Sequence, residues 1–576
     1  MKLSKYFISM LFFLTAINAQ TISFNEDSTA AAVEYNRIYF PLLNQGVLAQ
    51  TDFGSSINSV MKYDNKSVIF SGGFFLSGYA NTTLWANGVA RSFLIQDYLP
   101  GKVGSDENSS ENKIYVVKAS DTPFGEEWQD WEKAIEQGAY FYDGDNDGVY
   151  NPVDKNNNGQ WDADEDKPDI LYDASLFTVY NDGVPSESRR WSSVEQLGLE
   201  IRQTVFVSNR NTILNDVVFV RYSIVYKGLD NPSEPDSLTD VIFGIWSDSD
   251  IGEVSSAAAD DLSGCDTLLQ SGYTYNDSSD PDFGNNPPAI FRTIVQGPLV
   301  KTNKPSDIGF NRMGPDLGEE SFGGYTNLTM NSYIHIIGDV PINDPNTAVE
   351  ARNYMLGLTS NGERLDPCDW ILGEVRDDVD CSNVNPLLWY SGDPVTDYGW
   401  INNSPQDQRD LTSSHKFTLH KNEPMDIIIA YTVGRGMDHL NSITVARETV
   451  QYIHEEYERN FSTIVGVEED KKEELPSSFT LYQNYPNPFN PTTKIKFTIG
   501  TPPVSSPLQK GRTKEGFVTL KVFDILGREI KTLLSKPMQP GSYEIEFDGS
   551  DLPSGVYFYR LNAGKFSESR KMILLR

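Results

Sequence analysis

Tyr485-Pro-Asn-Pro-Phe-Asn-Pro-Thr-Thr493 opens the carboxy-terminal stretch of this 576-residue chain. Val522-Phe-Asp-Ile-Leu-Gly-Arg528 divides that stretch, and Leu552-Pro-Ser-Gly-Val-Tyr-Phe-Tyr-Arg560 leads to its end at Met572-Ile-Leu-Leu-Arg576. Between these punctuation points Ile495, Phe497 and Ile499 alternate with Lys494, Lys496 and Thr498. Val518, Leu520 and Val522 alternate with Thr519 and Lys521 in the same way. Successive side chains of a strand point to opposite faces, so period-two runs bounded by Gly and Pro turns predict half-buried antiparallel strands. Residues 479–576 therefore read as a small all-β sandwich.

The same motifs, in this order, resemble the type A C-terminal sorting domain of type IX secretion cargo. The resemblance implies an Ig-like β-sandwich that acts as an export address, with the type IX secretion machinery as its partner. It implies passage across the outer membrane to the cell surface or beyond, and it does not specify what the rest of the chain does. Residues 501–516 depart from the pattern: Pro502, Pro503 and Pro507, then Lys510-Gly-Arg512, read as a flexible insertion where the family keeps a short connection.

The opposite end agrees with export. Lys2 and Lys5 precede an apolar run from Tyr6 to Ile17, and Ile17-Asn-Ala19 is a plausible cleavage site, so residues 1–19 read as a secretory signal. That run is too short to span a bilayer, and nothing later approaches the roughly 20 apolar residues a span needs, so no membrane span is expected in the mature chain. With 47 basic and 81 acidic side chains the formal net charge is −34. Such a surface repels nucleic acid and anionic lipid and offers many carboxylates to divalent cations. Of three cysteines, Cys368 and Cys381 can pair across a short loop in an oxidising compartment, which leaves Cys265 as a buried small residue.

The preceding regions read as mainly β, in sandwich domains with long loops and a few helices. Residues 20–140 carry short strand-like runs, including Ser67–Phe70 and Lys113–Lys118. Trp128, Trp131 and Ile135 then recur at helical spacing before a stop at Gly138, and the tryptophans belong to a core-facing stripe. In residues 171–464, Val218, Val220, Tyr222, Ile224 and Tyr226 share one face of a strand, opposite Phe219, Arg221 and Ser223. Val241–Trp246 and Met425–Val433 are further strands, and residues 275–325 read as long loops. Ile443, Ala446, Val450, Ile453 and Tyr457 line a closing helix with Ser442 as its N-cap. Residues 465–478, charged and containing Pro476, are a linker.

Residues 141–170 hold the clearest chemistry. Counting from Asp154, Asn156 and Asn158 take positions 3 and 5, Gly159 position 6, the Gln160 carbonyl position 7, Asp162 position 9 and Glu165 position 12. This satisfies the calcium-loop pattern D-x-[DN]-x-[DN]-G-x5-E. Calcium takes six to eight hard oxygens, and alternate side chains of a tight turn converge on one centre. The preceding run counts alike: Asp143, Asp145, Asp147, Gly148, the Val149 carbonyl, Asn151, and Asp154 at position 12. On that count Asp154 closes one loop and opens the next. The back-to-back arrangement resembles thrombospondin type 3 calcium strings and implies a structural Ca2+. A weaker candidate surrounds Asp248 and Asp250, with Asp260 and Asp261 following, and reads equally as a second ion site or as a loop cap.

No catalytic constellation emerges. His454-Glu-Glu-Tyr-Glu458 lacks the second histidine of a zincin, and His415 and His420, five apart, fall on opposite faces of one strand. Paired carboxylates of a glycosidase are invisible in sequence. The order Asp-x-Asp-Gly loop, Trp246-Ser-Asp-x-Asp-x-Gly252, Gly264-Cys-Asp266, Pro287-Pro288, Ser391-Gly-Asp-Pro394 and Val433-Gly-Arg-Gly436 resembles exported proteins that carry this same tail and have no assigned activity. The expectation is a non-catalytic, calcium-stabilised surface or secreted protein that binds an extracellular glycan or protein. The alternative is a secreted hydrolase acting on polysaccharide.

Overall fold

The computed structural model describes residues 21–24, 28–35, 37–51, 59–89, 97–208, 213–252, 260–338, 341–462, 480–499, 516–524, 528–538, 541–563 and 566–575. The signal segment, the linker over 465–478 and all but the last residue of the insertion over 501–516 lie outside them. The chain divides into two compact units, residues 1–465 and 466–576.

The larger unit is built on a nine-stranded antiparallel sheet. Its central path runs Ala174–Asn181, Leu199–Val207, Val217–Tyr226, Pro424–Gly434, Ala289–Gln296, Ser271–Asn276 and Asp261–Asp266. A six-stranded sheet centred on Ser71–Ala80, Ser237–Asp248 and Arg409–Ser414 packs against one face. Phe74, Tyr222 and Phe243 meet where the two sheets face each other, with ring centroids 5.1 Å apart for Phe74 and Tyr222 and 5.6 Å for Tyr222 and Phe243. One continuous core includes Ala31, Phe74, Tyr222 and Tyr431, so the regions 20–140 and 171–464 share it.

Helices cover the other face. Trp131 and Ala134 of the helix Glu126–Glu136 pack on Tyr115, Val117, Phe177 and Val179, and Gly138 follows with φ +100°. Along the helix His439–Glu458, Ile443, Ala446 and Val450 pack on Tyr273 and Phe291, while Ile453 and Tyr457 pack on Phe206 and Phe219. The whole strand Val217–Tyr226 is buried, its even-numbered side chains facing the sandwich core and Phe219 the helix side.

Two expectations are corrected. The closing helix is capped by Asp438, whose carboxylate accepts from the Asn441 amide at 2.8 Å. Ser442 lies one turn inside, where its buried hydroxyl donates to the Pro287 carbonyl at 2.7 Å. Residues 275–325 are not all loop, because Ala289–Gln296 lies between Ser271–Asn276 and Pro424–Gly434 within the large sheet. A strand buried on both faces shows no alternation. Here its polar members Arg292, Thr293 and Gln296 are buried, and they bond to Asp410, Ser271 and Tyr457. Ile308–Gly314 and Gly318–Gly323 form a hairpin in the same region.

The smaller unit pairs a three-stranded sheet with a four-stranded one. Ile495, Phe497, Val518, Leu520 and Val522 are fully buried, whereas Lys494 and Lys496 are exposed, as the alternation requires. The Tyr559 hydroxyl donates to the Tyr482 carbonyl and accepts from the Asn484 amide, each at 2.7 Å.

Candidate metal centre

A two-stranded clasp pinches off the acidic string. Phe141 pairs with Pro168 and Tyr142 with Lys167, so residues 143–166 leave and re-enter the fold at one point. Apolar contacts hold the clasp: Phe141 lies on Tyr150 at 5.3 Å, Tyr142 on Trp161 at 5.4 Å, and Lys167 Nζ sits 3.9 Å from the Trp161 ring centre. The Tyr150 hydroxyl donates to the Trp128 carbonyl at 2.9 Å, which ties the string to the first helix.

Both loops adopt the same local geometry. Asp143 accepts from the amides of Asp147 at 3.2 Å and Gly148 at 2.8 Å. Asp154 accepts from those of Asn158 at 3.1 Å and Gly159 at 2.7 Å. In each case the residue at position 1 binds the amides of positions 5 and 6. Gly148 and Gly159 have φ of 77° and 73°, the left-handed conformation that favours glycine, and Asn146 and Asn157 at position 4 share it at 60° and 58°. Carboxylate oxygens of Asp143, Asp145 and Asp147 lie within 4.8 Å of one another. In the second loop Asn156 and Asn158 both donate to Asp162 Oδ2, at 2.6 and 2.8 Å, so positions 3, 5 and 9 converge. Val149 and Gln160 direct exposed side chains to solvent, which is compatible with a carbonyl role at position 7.

The bracing carboxylates differ from the linear count. Glu165, fully buried, accepts from the amides of Lys155 at 2.6 Å and Asp162 at 2.9 Å, positions 2 and 9 of the second loop. In the first loop positions 2 and 9 are Gly144 and Asn151, and their amides donate to buried Asp166, at 2.9 and 2.7 Å. Asp166, not Asp154, therefore takes the equivalent place, a role that counting along the chain from Asp143 misses. Lys155 Nζ lies 3.0 Å from Asp145 Oδ2, and that hydrogen bond holds the exposed Asp145 carboxyl below its ordinary range.

The weaker candidates separate. Asp248 and Asp250 come together with Asp407, which sequence reasoning missed, with oxygens within 4.8 Å of one another. Asp260 is outside that group, and Asp261 is buried at the start of its strand. Cys368 and Cys381 form a disulfide and Cys265 is buried with a free thiol. His335 is buried, with Nδ1 3.1 Å from Gln408 Oε1 and Nε2 3.3 Å from the Tyr390 hydroxyl. His454 Nε2 bonds the Leu269 carbonyl at 3.1 Å.

Residues 483–575 match the family described as the secretion system C-terminal sorting domain. The tail thus defines exported cargo of the type IX system, addressed to the cell surface or the extracellular space, and it engages that secretion machinery. No helix among the described residues is long and apolar enough to cross a membrane. No match was found among curated proteins. A polysaccharide lyase of solved structure aligns over 96% of this chain and 46% of its own, at 7% identity and a TM-score of 0.23. This chain therefore spans less than half the length of that lyase, and so remote a likeness carries no argument.

Proposed function

We propose that this exported protein is a calcium-stabilised β-sandwich that works by binding an extracellular glycan or protein, without catalysis. The observation that carries the calcium reading is the repetition of one loop geometry twice. Each loop has an acidic residue at position 1 holding the amides of positions 5 and 6, a left-handed glycine at position 6, and a buried carboxylate bracing positions 2 and 9. The donors are all hard oxygens, from Asp143, Asp145, Asp147, Asp154, Asn156, Asn158 and Asp162 with the carbonyls of Val149 and Gln160, and this is calcium chemistry. Ca2+ would neutralise the acidic string and displace Lys155 from Asp145.

The non-catalytic reading draws support from the surface depression lined by Asp266, Ser391, Asp393 and Arg447. A glycosidase needs one carboxyl kept protonated beside another that is ionised. Here Arg447 bridges both carboxylates, with Nε 3.0 Å from Asp266 and Nη1 2.7 Å from Asp393. Burial alone would raise the Asp393 carboxyl, but Arg447, Thr396 and the Val395 amide together hold it below its ordinary range. That suits a fixed anion more than a proton donor.

A glycan array run beside polysaccharide hydrolysis assays on the full chain in calcium tests this reading. Saturable binding without product is expected; turnover of a polysaccharide would establish the hydrolase alternative instead.

A further inference from the structure

The surface depression beside the helix His439–Glu458 brings together two short stretches far apart in the chain. Gly264-Cys-Asp266 closes the last strand of the large sheet. Ser391-Gly-Asp-Pro394 enters a turn shut by two backbone bonds, from the Asp393 amide to the Tyr398 carbonyl at 2.7 Å and from the Tyr398 amide to the Asp393 carbonyl at 3.1 Å. Arg447 reaches out of the helix and joins them, with Nε on Asp266 and Nη1 on Asp393. Asp266, Thr267, Leu268, Ser391, Asp393 and Arg447 line the hollow between, whose volume of about 300 Å³ stands at the small end of the range for ligand sites.

Each polar wall of the hollow keeps unused hydrogen-bonding capacity. An ionised carboxylate offers about four acceptor sites. Asp266 accepts from the amides of Leu268 at 3.2 Å and Leu269 at 3.1 Å and from Arg447. Asp393 accepts from the Val395 amide at 3.1 Å, the Thr396 hydroxyl at 2.7 Å and Arg447. Each thus retains a free acceptor site. Arg447 engages Nε and Nη1, which leaves Nη2 without a hydrogen bond among the described residues. The Ser391 hydroxyl makes none there either. Leu268, 76% exposed, adds an apolar edge. Two carboxylates against one guanidinium, on a chain of net charge −34, repel an anionic ligand. A cationic ligand finds both carboxylates already paired. A neutral ring of hydroxyls suits both walls, because each hydroxyl donates and accepts at once.

We propose that this depression binds one sugar ring of a neutral glycan. The ring hydroxyls accept from Arg447 Nη2 and the Ser391 hydroxyl and donate to Asp266 and Asp393, while a C–H edge lies on Leu268. This rests on the glycan side of the function proposed above and gives it a site. Both carboxylates hold Arg447 before any ligand arrives, so binding costs little further ordering of that side chain. A guanidinium that served only to strut the helix against the sheet would use its Nε and Nη1 bonds, and neither Ser391 nor the open hollow would matter to it.

The test is calorimetric titration of the full chain in calcium with neutral gluco-, manno- and xylo-oligosaccharides and, as the acidic counterpart, oligogalacturonate. The unchanged chain is compared with S391A, T267W and R447K, each with its melting temperature. S391A removes a hydroxyl the fold does not use, and T267W fills the hollow from an exposed position, so both should melt with the unchanged chain. A neutral oligosaccharide is expected to bind, with affinity about fivefold weaker in S391A and about tenfold weaker or more in R447K and T267W. R447K also loosens two ion pairs, so S391A and T267W decide the matter should it melt lower. Equal affinity in T267W and the unchanged chain overturns this site and leaves the glycan reading standing. Preference for oligogalacturonate overturns the neutral-sugar assignment. Binding of none of these sugars overturns the proposal as well, and the wider glycan array then decides whether the glycan reading falls with it.

Discussion

Glu165 and Asp166 are neighbours in sequence but brace different loops: Glu165 accepts from the amides of Lys155 and Asp162, Asp166 from those of Gly144 and Asn151. Two adjacent, buried carboxylates thus tie both turns of the string to the one point where the clasp closes. Removing either should loosen one turn and leave the other folded. Replacing Asp166 with Ala strands two part-buried amides, where a fully buried donor left unpaired would cost about 1–3 kcal/mol each. Because the loop can relax and admit water, a net loss of about 2 kcal/mol in urea denaturation is expected. Asp154→Asn should remove one calcium equivalent. Loss of two would show instead that Asp154 bridges both ions, as the linear count suggests.

Calcium itself should stabilise the fold. With a dissociation constant near 10⁻⁴ M and about 1 mM free ion, mass action adds ~1.4 kcal/mol. Calorimetry of the full chain in calcium and in chelator should separate the two melting temperatures by a few degrees. Coincident transitions would remove the structural role assigned to the string.

The parts of this fold legible in sequence are those where one face differs from the other. Ile495, Phe497 and Ile499 announce a strand because Lys494 and Lys496, which alternate with them, meet water, and Trp128, Trp131 and Ile135 reveal a helix by their stripe. Ala289–Gln296 is covered on both faces and carries Arg292, whose partner Asp410 arrives from far along the chain. Neither periodicity nor polarity marks such a strand. The site divides in the same way. Positions 1, 3, 5 and 6 of each loop are local and countable, whereas Asp166 and Asp407 reach their places through strand pairing, which spacing does not encode.

His335 should give stability a distinct pH dependence. Burial lowers it to about 4, against the smaller upward pull of its bond to Gln408. In the neutral ring Nδ1–H donates to Gln408 and Nε2 accepts from the Tyr390 hydroxyl, which itself accepts from Trp370. Between about 4 and the ordinary 6.5 the unfolded chain binds a proton the folded one does not, so this contribution is lost as pH falls through that window. Burial raises Asp182 and Asp410 to about 6 despite their arginine partners, and these work in the opposite sense. The difference between the unchanged chain and H335Q isolates the histidine. Their stability gap should narrow by about 2–3 kcal/mol from about pH 7.5 to about pH 4.5; a gap independent of pH would refute the buried neutral ring.

The Cys368–Cys381 bond closes a separation of 13 residues. Loop-closure entropy for a ring of that size gives about 3 kcal/mol. C368S/C381S should therefore unfold at lower denaturant, with its far-UV spectrum retained. Equal midpoints would mean that the segment is already restricted in the unfolded chain.

Delivery and folding should separate at the boundary between the two units. The tail closes its own core around Phe497, Leu520 and Tyr559, and the larger unit closes another around Phe74, Tyr222 and Phe243. Among the described residues, neither core takes a strand from the other. Deleting residues 483–575 should therefore leave the large unit folded, with its calcium-dependent melting intact, but held in the periplasm. Fractionation of expressing cells, with protease added to intact cells as the surface probe, measures this directly. Protease-accessible protein at the surface without the tail would overturn the address, whereas a truncated chain that does not fold would overturn the independence of the two cores. Because these outcomes fall on different measurements, a single deletion tests both the destination and the architecture.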